Sequence, residues 1–179
     1  MTVLPMVETT SSYGTKNFVV LTTEPTSLTA ITLAEANAGD EITCHLLPAG
    51  VLFPATQGTV TPTRHECQTV VADRLGLANY GVQEVAYSVN PQTLGTPGSA
   101  GNEAYEALPK DAERWIIARY GVANGVAKAA AQAYTVYHIK TGEQRLSESD
   151  TGEAGEYVVN QAWELIGASA GKTDGEFAA

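Results

Sequence analysis

Short runs of alternating apolar and polar residues constrain the fold of this chain more than any other feature. The clearest run is QEVAYSV (83–89), in which Val85, Tyr87 and Val89 alternate with polar or small residues. Successive side chains on a strand point to opposite faces, so this pattern is typical of a strand with one buried face. Similar runs rich in β-branched or aromatic residues predict further strands at 27–33, 41–47, 65–72, 114–120, 133–139 and 156–166. Seven or eight short strands separated by polar turns favour a mainly β fold, a sandwich or a barrel.

One short flanking α-helix is predicted beside these strands. Residues 102–108 (NEAYEAL) place three apolar residues at helical spacing, with Asn102 in the N-cap position and Pro109 just past the end. An alternative continues the helix through 109–121, with Pro109 at its first position and Gly121 as its stop. Because 115–117 (WII) is typical of a strand, we expect a helix, a turn and then a strand.

The length of 179 residues suits one domain with terminal arms. We expect an N-terminal arm and first strand at 1–26, a β-sandwich domain at 27–167 and a flexible C-terminal tail at 168–179. Two long irregular segments interrupt the strands, at 48–62 and 90–101. Loops of this length in a small domain are usually functional or mobile.

The charge balance excludes one large class of function. Ten basic residues stand against twenty acidic ones, a net charge of −10, and 141–179 alone has eight acidic and two basic residues. A protein that grips nucleic acid needs clustered Lys and Arg to neutralise phosphates, and this chain lacks such clusters. The acidity favours either simple solubility or a surface that must not hold a polyanion. The sequence also has no apolar run near membrane-spanning length and no secretion signal, so we expect no membrane insertion.

Two pairs of cysteine and histidine raise the question of a metal site: Cys44 beside His45, and His65 close to Cys67. HECQT begins like the zinc signature His-Glu-x-x-His, but Thr69 replaces the second histidine. On a strand, Cys44 and His45 would point to opposite faces, so they would not bind one ion together. We therefore expect no metal, two cysteines that are small core residues, and a solvent-facing His45. Whether the two cysteines are close in space is left open.

Catalytic motifs are equally weak. The stretch GTPGSAGN has Pro97 where the Gly-x-Ser-x-Gly elbow needs a glycine, and no Gly-Lys-Ser/Thr follows that would make a phosphate loop. Pairs of acids between 148 and 156 lie in a Gly-rich polar turn, where solvated carboxylates are the norm. We expect neither an enzyme nor a cofactor.

Several segments, taken in order, resemble a known family. They are LTAITLAEANAGDEITCHLLPAG, TVTPTRHECQTVVADRLGLANYGVQEVAYSVNPQ, NEAYEAL and RWIIARYGV. Their distinctive parts fall at 34–39, 55–63, 87–92, 102–108 and 115–121. Their order and spacing resemble the major tail protein of long-tailed actinobacteriophages, over about residues 25–167.

The resemblance implies a virion structural protein with a tail-tube-like β-sandwich fold. It implies six copies to a ring and rings stacked into a hollow tail tube, assembled in the host cytoplasm. The implied partners are further copies of the chain, a tape-measure protein, and tail tip and terminator proteins. For the ring-stacking loop we predict Val51, Phe53, Thr56 and Thr59. For the lining of the bore we predict Glu84, Ser88, Asn160 and Glu164.

The resemblance also gives the acidity a role. Duplex DNA carries one negative charge per about 1.7 Å, so an acidic bore would let the genome pass without binding it. Three alternatives are a tail terminator, a head decoration protein and a carbohydrate-binding β-sandwich module. The last usually needs several exposed aromatic residues, whereas the two tryptophans, Trp115 and Trp163, lie in apolar runs typical of a core.

Overall fold

The structure, a computed structural model, describes residues 14–47, 52–61, 74–150, 155–167 and 171–179. Within these residues the fold is mainly antiparallel β, and the prediction of a mainly β protein is confirmed. The strands are β1 (Lys16–Leu21), β2 (Asp40–Glu41), β3 (Thr56–Val60), β4 (Arg74–Asn79), β5 (Gln83–Ser88), β6 (Glu113–Tyr120), β7 (Ala133–Thr141), β8 (Arg145–Glu148), β9 (Tyr157–Leu165) and β10 (Lys172–Glu176). The helices are α1 (Leu33–Ala38), α2 (Glu103–Ala107) and a 3₁₀ turn at Pro91–Thr93.

Eight strands form one sheet that wraps around the core. Its main path runs β2-β1-β6-β7-β9-β5, with β10 paired to β7 and β8 paired to β9. The segment that follows β2 reaches the far end of this path, where Leu46 bridges Tyr87 and the Leu47 N–H donates to the Ala86 carbonyl at 2.9 Å. Both ends of the path therefore meet, and the opposite halves of the sheet face each other across a shared interior.

The central strands are buried on both faces. On β6, Ile116 and Ala118 face the interior, which we call the inner core, while Trp115 and Ile117 face an outer core. Helix α1 and Phe177, which lies just after β10, cover this outer core. Two-sided burial explains why the central strands appear in the sequence as continuous apolar runs.

A buried amide connects helix α2 to the sheet. Gln161 Nε2 donates to the carbonyl oxygens of Leu108 at 2.9 Å and Gly142 at 3.0 Å. Its Oε1 accepts from Trp163 Nε1 at 3.2 Å and from the Tyr87 hydroxyl at 3.3 Å. Both hydrogen-bonding ends of this fully buried side chain are thus satisfied, and the end of α2 is fastened over β9.

Two predicted strands are wrong. The run at 27–33 has no extended strand, and the predicted turn after it is helix α1. The reason is a capping box, in which Thr32 Oγ1 accepts from the Glu35 N–H at 3.2 Å and the Glu35 carboxylate accepts from the Thr32 N–H at 2.9 Å. In the run at 41–47, only Glu41 belongs to a strand, as the last residue of β2, and residues 43–45 form a turn.

Other predictions have clear outcomes. The strands predicted at 83–89, 114–120, 133–139 and 156–166 are confirmed as β5, β6, β7 and β9. The helix at 102–108 is confirmed as α2, while the alternative long helix is wrong because β6 begins at Glu113. The expectation of a single helix is also wrong, since α1 is a second one. The prediction of a flexible C-terminal tail at 168–179 is wrong for residues 172–176, which form β10 and pair with β7. The strand predicted at 65–72 and residues 1–13 of the predicted arm lie outside the described residues.

Candidate functional site: assembly surfaces

The β3–β4 hairpin is a two-stranded sheet separate from the body. All five residues of β3 are exposed, and the side chains of Val60 and Leu75 are 58% and 75% exposed. An isolated two-stranded hairpin is marginally stable in water, and covering its exposed apolar side chains with a partner lowers the free energy. The hairpin is therefore a candidate surface for contact with another molecule.

The base of this hairpin is fixed to the body at both ends. Before β3, Leu52 and Phe53 are buried in the inner core, and the Phe53 ring lies 5.6 Å from the Tyr137 ring. After β4, the Gln83 side chain at the start of β5 accepts a hydrogen bond from the Phe53 N–H. The hairpin thus extends from a rigid support.

The predicted stacking residues divide into two groups. Thr56 and Thr59 lie on the exposed hairpin, whereas Phe53 packs inside the core of its own chain, so its assignment to a stacking surface is corrected. Val51 lies outside the described residues. The prediction overlooked Leu75 on β4, although the alternation in RLGLAN was a usable signal for a strand.

The four predicted bore residues share one outward face of β5 and β9. Glu84 and Ser88 alternate with buried residues on β5, as Asn160 and Glu164 do on β9. The strands are antiparallel, with Ala86 opposite Asn160. The two glutamates are exposed, and Ser88 and Asn160 are half-buried. The structure therefore brings these four residues together on one polar surface, which we call the β5–β9 face.

Charges of both signs lie on the β5–β9 face. Glu84 forms an ion pair with Arg145 of β8, and Glu164 lies opposite Lys140 of β7 in the strand register. Exposed ion pairs contribute only about 0–1 kcal/mol each. Their effect here is that the two bases balance the charge of the two glutamates.

The cysteine and histidine pairs form no metal site in the part of the chain that the structure describes, where no group of three or more His, Cys, Asp or Glu side chains is placed to hold an ion. Cys44 is exposed in a turn, so the expectation that it is a core residue is wrong. His45 is half-buried rather than solvent-facing, with its Nε2 3.2 Å from the Glu103 carboxylate. His65 and Cys67 lie outside the described residues.

Both tryptophans are buried, as predicted. Trp163 is fully buried in the inner core, and Trp115 is 8% exposed in the outer core, where it stacks on His138 at 4.6 Å. Neither offers the exposed ring that the carbohydrate-binding alternative requires. Among the described helices, none combines the length and apolarity needed to cross a bilayer.

The exposed apolar residues on a separate hairpin are a feature of proteins that assemble through their surfaces. A family model described as phage tail tube protein matches residues 5–164. The chain belongs to the phage tail tube protein family and is a structural, non-enzymatic component of the virion tail. Tail tube proteins self-assemble. No curated protein matches the chain.

Proposed function

We propose that six copies of this chain form a ring and that the rings stack into the hollow tube through which the phage genome leaves the virion. The observation that carries this proposal is the exposed β3–β4 hairpin, because it presents apolar side chains to solvent from a rigid base. Membership of the tail tube family supports it. A head-to-tail contact that closes by rotation makes a ring. The upper and lower faces of each ring then remain available for stacking.

The hairpin is the proposed ring-to-ring contact. Complete burial of a valine or leucine contributes about 1.5–3 kcal/mol, so covering the exposed parts of Val60 and Leu75 contributes roughly 2–4 kcal/mol per subunit. Around a ring of six these contributions add to something on the order of 12–24 kcal/mol. Stacking then becomes cooperative even though each hairpin contact is modest. Thr56 and Thr59 belong to the same proposed contact.

The β5–β9 face is the proposed lining of the bore. Its support is the common orientation of Glu84, Ser88, Asn160 and Glu164. The net charge of −10 belongs to the whole chain, and on this face Arg145 and Lys140 balance the two glutamates. Sheets from neighbouring subunits would merge into one large barrel, which is wide enough to leave an aqueous channel when many strands contribute. A bore with net negative charge repels duplex DNA and lets it slide.

The remaining partners follow from this architecture. A tape-measure protein would occupy the bore before DNA does, and tail tip and terminator proteins would cap the two ends of the tube. The segments quoted for the resemblance support a phage of the long-tailed type that infects actinobacteria.

The stacking contact is tested with Val60→Asp and Leu75→Asp. Because both side chains are exposed in the single chain, each variant should fold with unchanged thermal stability. Each should fail to form long tubes at concentrations where the unchanged chain forms them, as measured by sedimentation and negative-stain electron microscopy. The matched control is Gln92→Asp, which adds the same charge at an exposed site off the hairpin. Tubes of normal length from both hairpin variants would refute the assigned contact.

The lining is tested by adding positive charge to it. Ser88→Lys combined with Asn160→Lys adds two positive charges per subunit to the β5–β9 face. Tubes of this variant should retain duplex DNA at low salt and release it as salt rises, whereas unchanged tubes should not retain DNA. Equal retention by the two kinds of tube would contradict the placement of this face in the bore.

A further inference from the structure

A second exposed apolar surface lies where β8 pairs with the start of β9. Leu146 and Tyr157, which we call the β8–β9 patch, are 52% and 50% exposed. Leu146 lies opposite Val159 in the strand register, and Tyr157 lies two residues before Val159 on β9. Because side chains alternate along a strand, these three residues share one face of the sheet. Val159 is fully buried in the inner core, so the patch is the exposed continuation of a core-facing surface.

The β8–β9 patch has an acidic border. Glu148 is exposed and lies opposite Tyr157 in the register, and Glu156, which precedes Tyr157, is also exposed. The one base of β8, Arg145, already forms an ion pair with Glu84. None of the ion pairs among the described residues involves Glu148. The patch therefore combines apolar surface with a carboxylate that has no basic partner within the described part of the chain.

The β3–β4 hairpin has the complementary combination. Val60 is exposed on β3 and lies opposite Arg74 of β4 in the strand register. Arg74 is the one charged residue in the sequences of these two strands. Residues that lie opposite each other in an antiparallel pair are close neighbours, so a surface that covers Val60 also comes close to a basic position. Apolar side chains beside an acid on one element thus correspond to an apolar side chain beside a base on the other.

The hairpin base and the β8–β9 patch lie at opposite ends of the β5–β9 strand pair. At one end Gln83 lies opposite Trp163 and also holds the hairpin base, because its side chain accepts from the Phe53 N–H. At the other end Ser88 lies opposite Val158, next to the patch. The two ends are separated by the length of β5, about 17 Å. Since the hairpin packs extensively on no other described strand or helix, a neighbouring copy displaced along the strands is the natural source of a hairpin for this patch.

We propose that the β8–β9 patch receives the β3–β4 hairpin of a second copy of this chain. Val60 packs against Leu146 and Tyr157, and the base at position 74 lies beside Glu148. The inference rests on the proposed ring stacking and names the surface that the hairpin contacts. Because one end of a copy meets the other end of the next, the contact is head-to-tail, the arrangement that extends a tube. The apolar contact provides affinity, and the charge pair favours this alignment of the two copies over others.

Cysteine crosslinking tests the contact directly. The two native cysteines are first replaced by serine. A Val60→Cys chain is then mixed with a Leu146→Cys chain or a Tyr157→Cys chain, assembled into tubes, oxidised with diamide and run on a non-reducing gel. At least one mixture should give about fivefold more disulfide-linked dimer than the control mixture with Glu164→Cys on the β5–β9 face, because a disulfide needs Cα atoms within roughly 7 Å. Tubes that form without this excess of dimer would overturn the proposal.

Charge exchange gives an independent test. Arg74→Glu and Glu148→Arg should each raise the concentration needed for tube assembly by about fivefold at low salt, and the double variant should return to within about twofold of the unchanged chain. The effect of each single variant should shrink as salt rises. A thermal melt of the unassembled chains checks that each variant folds. Folded single variants that assemble like the unchanged chain, or a double variant without recovery, would overturn the proposed contact.

Failure of this contact is distinguishable from failure of ring stacking. Leu146→Asp should prevent long tubes as Val60→Asp does, while the conservative Leu146→Met should leave assembly unchanged. If tubes form and Val60→Asp prevents them but Leu146→Asp does not, the hairpin stacks on another surface and only the β8–β9 patch is overturned. If the unchanged chain forms no tubes, the proposed function fails and this inference fails with it.

Discussion

The buried amide of Gln161 makes a strong prediction about stability. Replacing it with methionine preserves the length and approximate volume of the side chain but removes both of its hydrogen-bonding ends. The substitution therefore measures the contribution of the hydrogen bonds with little change in packing. Most core substitutions change both at once.

The magnitude follows from the groups that lose their partners. The Leu108 carbonyl keeps a hydrogen bond from Gln144 Nε2 at 3.0 Å, so it remains satisfied. The Gly142 carbonyl loses its bond from Gln161, but Gly142 is only half-buried, so water can replace the donor. The Trp163 N–H and the Tyr87 hydroxyl lose their acceptor, and both side chains are fully buried. Each orphaned buried donor costs about 1–3 kcal/mol, so we expect a loss of about 4 kcal/mol in the free energy of unfolding. For a chain of this size, that corresponds to a decrease of roughly 8–16 °C in Tm.

The assay is urea unfolding of the unassembled chain, followed by tryptophan fluorescence, together with a thermal melt. Gln92→Met is the matched control, because Gln92 is exposed in the 3₁₀ turn and should tolerate the change within about 0.5 kcal/mol. If Gln161→Met costs less than about 1 kcal/mol, the buried amide is not a significant source of stability and the reasoning is refuted.

Two further predictions concern the capping box and the C-terminal strand. The backbone N–H groups of Thr26 and Thr32, together with their hydroxyls, lower the pKa of Glu35 from 4.5 to about 2. The ionised carboxylate therefore stabilises the fold fully above pH 4.5, and this contribution is lost as the pH falls towards 2. The Tm difference between the unchanged chain and Glu35→Gln should accordingly shrink over that interval, and a difference independent of pH would contradict the assignment. Gly175→Ala should lower the free energy of unfolding by about 1–3 kcal/mol in thermal or urea unfolding, because the added Cβ would lie 2.6 Å from the Thr29 carbonyl oxygen. The control is Gly58→Ala on the hairpin, where the added Cβ meets nothing within 4 Å and the effect should be nearly neutral. Equal effects of the two substitutions would refute the argument.

Local pattern was enough to predict the strands that have one buried and one polar face. In β5 and β9 one face is buried and the other is polar, so the alternation that identifies a strand is visible in the sequence. The same alternation placed Glu84, Ser88, Asn160 and Glu164 on a single face. In these strands, the sequence pattern and the tertiary packing agree.

Where the prediction failed, the deciding contact was distant or an available local signal was overlooked. The pattern Thr-Leu-Ala-Glu at 32–35 is a capping-box signature, and it, rather than the β-branched run before it, decides the structure there. Strand β10 has a polar sequence with weak strand propensity and is held by pairing with β7 some 40 residues away. Phe53 is predicted as a stacking residue because it lies within the long segment 48–62. Its burial depends on packing against Tyr137, which is distant in the sequence.

The most direct test of the central claim is negative-stain electron microscopy of the purified chain across protein concentration and salt, with sedimentation as a check. The proposed function predicts hollow tubes of stacked rings with a regular axial repeat. A single closed ring that never stacks would be the behaviour of a tail terminator and would contradict the tube. A chain that stays monomeric at every concentration and salt would contradict self-assembly of the purified protein.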